Sequence, residues 1–171
     1  INTKNWNRLI NSSKKGRLPP AFLLHGPDGS GKEGHALELA ALLNCTGVKN
    51  EKPCGSCSSC RKTKSFQHEN IKLVLPLPRG KIKSSDDPVT KAFIDPVLKE
   101  YLDMLKKKDA DPYYAIRLTG ANTILINSIR DIKHDAALST INNDWRVVLI
   151  SQAEKLCIPS PEAAHALLKI L

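Results

Sequence analysis

The chain has 171 residues, 41% hydrophobic and 5% aromatic, with a formal charge of +9 from 26 Lys and Arg against 17 Asp and Glu. That length holds one domain with its own core and at most a small appended module. No apolar run approaches membrane-spanning length and Ile1-Asn2-Thr3-Lys4 lacks the apolar core of a signal peptide, so a cytoplasmic location is expected rather than a spanning or secreted one.

The basic excess lies in residues 4–17, where Lys4, Arg8, Lys14, Lys15 and Arg17 stand without an acid, and in residues 61–83. Such a surface attracts nucleic acid or an acidic partner, or is a solvated face. Ile1 is not an initiator Met and Leu171 closes an apolar helical pattern without a cap, so both ends read as fragment boundaries.

In chain order, Trp6, Leu9 and Ile10 at helical spacing predict a short helix over 5–14, ended by Gly16 and Pro19-Pro20. "AFLLHG" (21–26) reads as a buried parallel strand entering a glycine-rich turn, and 32–43 as a strong helix. A cysteine module covers 45–60, and "IKLVLPL" (71–77) reads as a second strand. Residues 78–92 are polar and rich in breakers, as a mobile loop would be. A helix follows over 93–108 with Pro96 near its first turn, then a third strand, "TILI" (123–126).

Asn127 or Ser128 is placed to cap the next helix, with Ser128 and Asp131 spaced as a capping box. "WRVVLIS" (145–151) is the clearest later strand, and Ser160-Pro161-Glu162 opens a helix over 161–171. Strands alternating with helices imply crossover connections, a parallel sheet and an α/β class.

Gly26-Pro27-Asp28-Gly29-Ser30-Gly31-Lys32 is the G-x-x-x-x-G-K frame of a phosphate loop, in the strand–loop–helix context that frame requires. Gly26, Gly29 and Gly31 let backbone N–H groups turn toward phosphate, and Lys32 supplies a point charge. The hydroxyl that normally follows and binds Mg²⁺ is replaced by Glu33, which repels phosphate unless it points away or gains a metal. At the end of the 145–151 strand, Ser151-Gln152 stand where an ATPase carries an acidic pair, and Glu154 is a solvated loop acid. The two losses agree. ATP turnover is not expected, and nucleotide binding is absent or weak.

Cys45, Cys54, Cys57 and Cys60 form C-x8-C-x2-C-x2-C, two tight turns sharing Cys57. Four thiolates suit one tetrahedral structural Zn²⁺, with an iron–sulfur cluster as the competing occupant. Cys157 reads as a buried small hydrophobe. His25, His35, His68, His134 and His165 show no ligand or triad spacing and read as packing or surface residues.

The phosphate loop, one helix and this cysteine spacing together resemble the bacterial clamp-loader subunits of the AAA+ superfamily. "GRLPPAFLLHGPDGSGK" (16–32) resembles the family's G-R-L-P-H-A-[FY]-L-F-x-G-P-x-G-x-G-K, with Pro20 for His, and "LNC" (43–45) matches the helix end before its metal module. "HEN" (68–70) resembles H-P-D, and "ILINSIRDI" (124–132) resembles I-x-I-x-x-I-R-x-[IL]. "VVLISQAEKL" and "EAAHALLKIL" resemble the strand with the acidic pair and the A-A-N-A-L-L-K-x-L helix, with His165 for Asn. Residues 77–120 fall outside the match.

The resemblance implies a P-loop NTPase fold, a three-layer parallel sheet flanked by helices with a small zinc-binding insertion. It makes 1–171 an N-terminal domain whose lid and collar lie elsewhere. It further implies the family's member with degenerate nucleotide motifs, a non-catalytic stator within the DNA polymerase III holoenzyme. Such a subunit contacts the delta and gamma/tau subunits and, through them, the sliding clamp and primed DNA. The family's Ser-Arg-Cys arginine finger lies beyond the position of Leu171. Two other readings stay open: an active gamma/tau-type ATPase subunit, and a zinc-stapled DNA-binding domain.

Overall fold

A computed structural model describes residues 3–111, 113–136 and 145–171. Helix α1 (Thr3–Lys14) leads through an irregular segment to α2 (Lys32–Leu43), and α3 (Ser58–Lys64) closes the cysteine module. Strand β1 (Ile71–Val74), α4 (Asp95–Ala110), α5 (Ile126–Ala136), β2 (Val147–Ile150) and α6 (Glu162–Leu168) follow. Among the described residues no helix is long and apolar enough to cross a membrane.

β1 and β2 pair in parallel as a two-stranded sheet, in register from Ile71 opposite Val147 to Val74 opposite Ile150. Alternation along β1 sends neighbouring side chains to opposite faces. Leu73 and Leu75 join a core with Leu77, Ile82, Val97 and Leu118, beneath α4. Val74 joins Ile124, Ile129, Ile132, Leu156 and Ala163 beneath α5 and α6. Ile124 and Ile129 are fully buried, each contributing about 1.5–3 kcal/mol through its apolar area. On that second face Lys72 reaches α5, where its ammonium donates to Asp131 and, at 2.6 Å, to Asp135. Helices therefore cover both faces of a short parallel sheet.

Among the described residues two expected strands are absent, and the sheet is correspondingly narrow. Residues 21–26 run irregular and exposed, with Phe22 at 43% and Leu23 at 77%. A strand exists only where another backbone pairs with it. Among the described residues, no backbone hydrogen bond is made to this segment. "TILI" forms a corner instead: Thr123 accepts one bond from Leu77 N (3.0 Å) in an antiparallel bridge, and α5 begins at Ile126. Its apolar residues are satisfied by burial, which periodicity alone does not distinguish from a strand.

The capping assignment also changes. Asn127 and Ser128 are buried inside the first turn of α5. The Asn127 amide donates to Ser84 O (3.0 Å) and Asp87 O (2.8 Å), while Asp131 turns to Lys72. α6 is bounded at Glu162–Leu168 with Pro161 as its cap residue, without a side-chain cap bond from Ser160.

Residues 78–92 carry definite contacts. Asp87 accepts from Lys83 N (2.8 Å), Ser84 N (3.0 Å) and the Lys91 ammonium (2.5 Å). The Lys91 bond and these two backbone donors push the Asp87 carboxyl down to about 2. Ile82 is buried, and 89–92 form one tight helical turn. Gly80 has φ +53, and a Cβ there would lie 2.6 Å from Ala92 O. Only glycine fits that crossing.

Candidate metal centre and phosphate loop

The cysteine module is built on the ends of two packed helices, α2 and α3. Cys45 follows the last turn of α2, where its N–H returns to Leu42 O (3.3 Å). Its sulfur accepts from Gly47 N (3.4 Å) and Cys54 N (3.3 Å). Cys54 Sγ accepts from Cys57 N (3.3 Å), and Cys57 Sγ caps α3 by accepting from Cys60 N (3.4 Å). The two C-x-x-C turns thus aim backbone N–H groups at sulfur, as expected where sulfur carries negative charge.

All four sulfurs lie within 4.8 Å of one another. Zn–S bonds of about 2.3 Å in a tetrahedron place sulfurs about 3.8 Å apart, so the arrangement fits such an ion. The electrostatics agree. The Cys60 N–H, with Thr46, pulls the Cys57 thiol down to about 5, and the Cys57 and Ser56 N–H groups lower Cys54. Burial first, then the neighbouring sulfurs, pushes Cys60 up to about 12. Four thiolates in this space require a cation, and a bound Zn²⁺ would supply it and fasten the two helix ends together.

His68 braces the module from outside the cluster. Its Nδ1 accepts from Asn70 N (3.1 Å), which leaves Nε2 to donate to Ser59 Oγ (2.9 Å), linking α3 to the start of β1. Cys157 is exposed, contrary to the expectation of a buried hydrophobe, because its neighbour Leu156 occupies the core position. His25, His134 and His165 are exposed.

Gly26, Gly29, Gly31 and Lys32 lie together at the opening of α2. Gly29 and Gly31 have φ +77 and +76, values that L side chains rarely adopt. The loop is engaged with its own chain. The Lys32 ammonium donates to Gly26 O (2.8 Å) and Pro27 O (2.7 Å), and Asp28 pairs with Arg117 (3.0 Å).

The two positions at which the nucleotide motifs depart meet in space. Ser151 extends the ladder of β2, its N–H donating to Val74 O (2.9 Å), and its hydroxyl donates to Glu33 Oε1. Glu33 Oε2 accepts from the Lys108 ammonium at 2.6 Å, and Lys108 also donates to Tyr114 O at 2.7 Å. Gln152 takes a left-handed backbone (φ +54) and its amide reaches Ile116 O (3.4 Å). Glu154 is exposed, as expected.

Sequence reasoning gave Lys108 no role beyond closing the helix predicted over 93–108. The one available signal was Glu33 itself, a carboxylate in need of a cation. The structure meets the Glu33 carboxylate with a lysine.

A family model described as "DNA polymerase III, delta subunit" matches residues 1–171. The chain is 41% identical over 68 residues to DNA polymerase III subunit delta' of Bacillus subtilis (strain 168), covering 40% of this chain and 20% of that protein. It is 40% identical over 63 residues to Protein STICHEL of Arabidopsis thaliana, covering 34% of this chain and 5% of that protein. To DNA polymerase III subunit gamma/tau of Mycobacterium bovis it is 47% identical over 45 residues, covering 26% and 8%. The chain thus spans only a small part of the length of these relatives.

Proposed function

This chain belongs to the DNA polymerase III, delta subunit family, and on that premise we propose that it serves as a non-catalytic, stator-like part of a bacterial clamp loader. In this reading it supports ATP-dependent loading of the sliding clamp from the cytoplasm, in contact with the delta and gamma/tau subunits. Its domain is an AAA+ domain whose three-layer parallel sheet includes β1 and β2. Cys45, Cys54, Cys57 and Cys60 hold one structural Zn²⁺, and Gly26, Gly29, Gly31 and Lys32 are an inherited phosphate loop.

One observation carries the non-catalytic assignment: Glu33 and Ser151 hydrogen-bond to each other. Phosphoryl transfer needs a hydroxyl after the loop lysine to hold Mg²⁺ and an acid at the strand end to hold it and orient water. Here the carboxylate and the hydroxyl have exchanged positions. Ser151 and Gln152 supply no general base. The zinc centre has four protein sulfurs and no open position for chemistry.

The second reading, an active ATPase subunit, is favoured by the retained glycines and Lys32 and by the similarity to a gamma/tau subunit. ATP turnover by the full-length protein separates the two. The scaffold reading expects no hydrolysis above background, whether or not Lys32 is changed. Turnover that Lys32→Ala removes would sink it.

A further inference from the structure

Helix α4 ends against the phosphate loop, and its last turn carries Lys108, whose side chain is 3% exposed. A buried ammonium is costly unless it is paired and hydrogen-bonded. Lys108 meets both conditions, through Glu33 Oε2 at 2.6 Å and Tyr114 O at 2.7 Å. The other carboxylate oxygen of Glu33 accepts from Ser151. One carboxylate therefore joins three parts of the chain: the start of α2, the end of α4 and the end of β2.

In a working phosphate loop, the residue after the lysine and the acid at the strand end supply oxygens to one divalent cation. The same two positions supply oxygens here, from Glu33 and Ser151, with a single negative charge between them. A singly charged ammonium balances that charge. We propose that the Lys108 ammonium is a built-in replacement for the divalent cation of this loop, filling the cation position between α2 and the end of β2 and closing it to a metal-bound nucleotide. This rests on the non-catalytic reading and gives it a physical cause. Glu33 holds Lys108, and Lys108 neutralises Glu33.

The corollary is that removing Lys108 uncovers a divalent-cation site. The Glu33 carboxylate, the Ser151 hydroxyl and the Tyr114 carbonyl are hard oxygen donors of the kind Mg²⁺ and Mn²⁺ take. The zinc-loaded full-length protein can be probed with MnCl₂ alone, read by thermal unfolding and by the paramagnetic resonance of free Mn²⁺. Lys108→Ala is expected to unfold at lower temperature and to regain about 3–5 °C when Mn²⁺ is at about ten times its Kd.

Wild type and Lys108→Arg, which keep the positive charge, are expected to show no such rise. Lys108→Ala combined with Glu33→Gln is expected to lose it, because the carboxylate is gone. Lys108→Gln, which fills more of the space, carries the same expectation as alanine if the smaller side chain does not fold. The inference is overturned if both neutral variants are as indifferent to Mn²⁺ as wild type, or if neither folds at saturating Mn²⁺. A wild-type response to Mn²⁺ that Glu33→Gln abolishes overturns it too. An inert wild type with silent variants rejects this inference alone. Wild-type ATP turnover lost in Lys32→Ala rejects the scaffold reading beneath it.

Discussion

Cys57 contributes to both C-x-x-C turns and caps α3 by accepting from Cys60 N at 3.4 Å. Cys57→Ser is expected to lose the metal and the order of residues 45–60 together; metal analysis should fall from about one Zn per chain to near none. Retention of stoichiometric zinc would remove Cys57 from the ligand set. Gly80 gives a second test at a single residue, because an added Cβ would meet Ala92 O at 2.6 Å from a backbone at φ +53. Gly80→Ala should destabilise the chain by at least about 1–3 kcal/mol in a denaturant titration, and an unchanged midpoint would show that the 80–92 crossing yields. At this scale the sequence was legible wherever chemistry is local: four cysteines within sixteen positions, or a lysine after G-x-x-x-x-G. Lys108 was illegible because its partner Glu33 lies 75 residues away, and no spacing rule spans that distance. The outward position of Cys157 depends equally on which neighbour fills the core.

Among the elements, α2 was read at its observed bounds, 32–43, since a glycine loop before it and a polar Asn44 after it mark both ends. α3 was not separated from the cysteine module, because seven residues with the sequence SSCRKTK carry no apolar period. The strand expected at 21–26 failed for the opposite reason. Its apolar content was plain, but strand formation depends on a partner that local sequence does not contain. The contact between β1 and α5 is held by Lys72 between Asp131 and Asp135. Burial presses the Lys72 ammonium toward deprotonation, yet the hydrogen bonds and charges of the two carboxylates outweigh it and raise its pKa above 10.5. A raised lysine stabilises fully below its unfolded value and loses that contribution as pH rises through the folded one. Thermal unfolding of wild type and Lys72→Met should therefore show its full lysine-dependent gap below the unfolded lysine value of 10.5 and converge only as pH rises through the raised folded value; a gap that stays constant across that range would mean the tie acts by packing alone.

Across the whole molecule, the +9 charge is partly committed within the chain. Lys14 pairs with Glu51, Lys62 with Glu69 and Lys64 with Asp109. Exposed pairs of this kind are worth only about 0–1 kcal/mol each, so they orient the two basic segments more than they stabilise them. Steeply salt-dependent DNA binding by these segments would add a nucleic-acid role to the proposed protein-binding one. The α/β class was legible from the alternation of elements, and the family from the joined loop and cysteine motifs. The proposed closed state of the loop was not, since it rests on α2, α4 and the end of β2 converging on Glu33. That closed state is the central claim, and a calorimetric titration of the zinc-loaded full-length protein with ATP and Mg²⁺ addresses it most directly. We expect no saturable Mg²⁺-dependent binding; a saturable isotherm that needs Mg²⁺ and disappears in Lys32→Ala would contradict it.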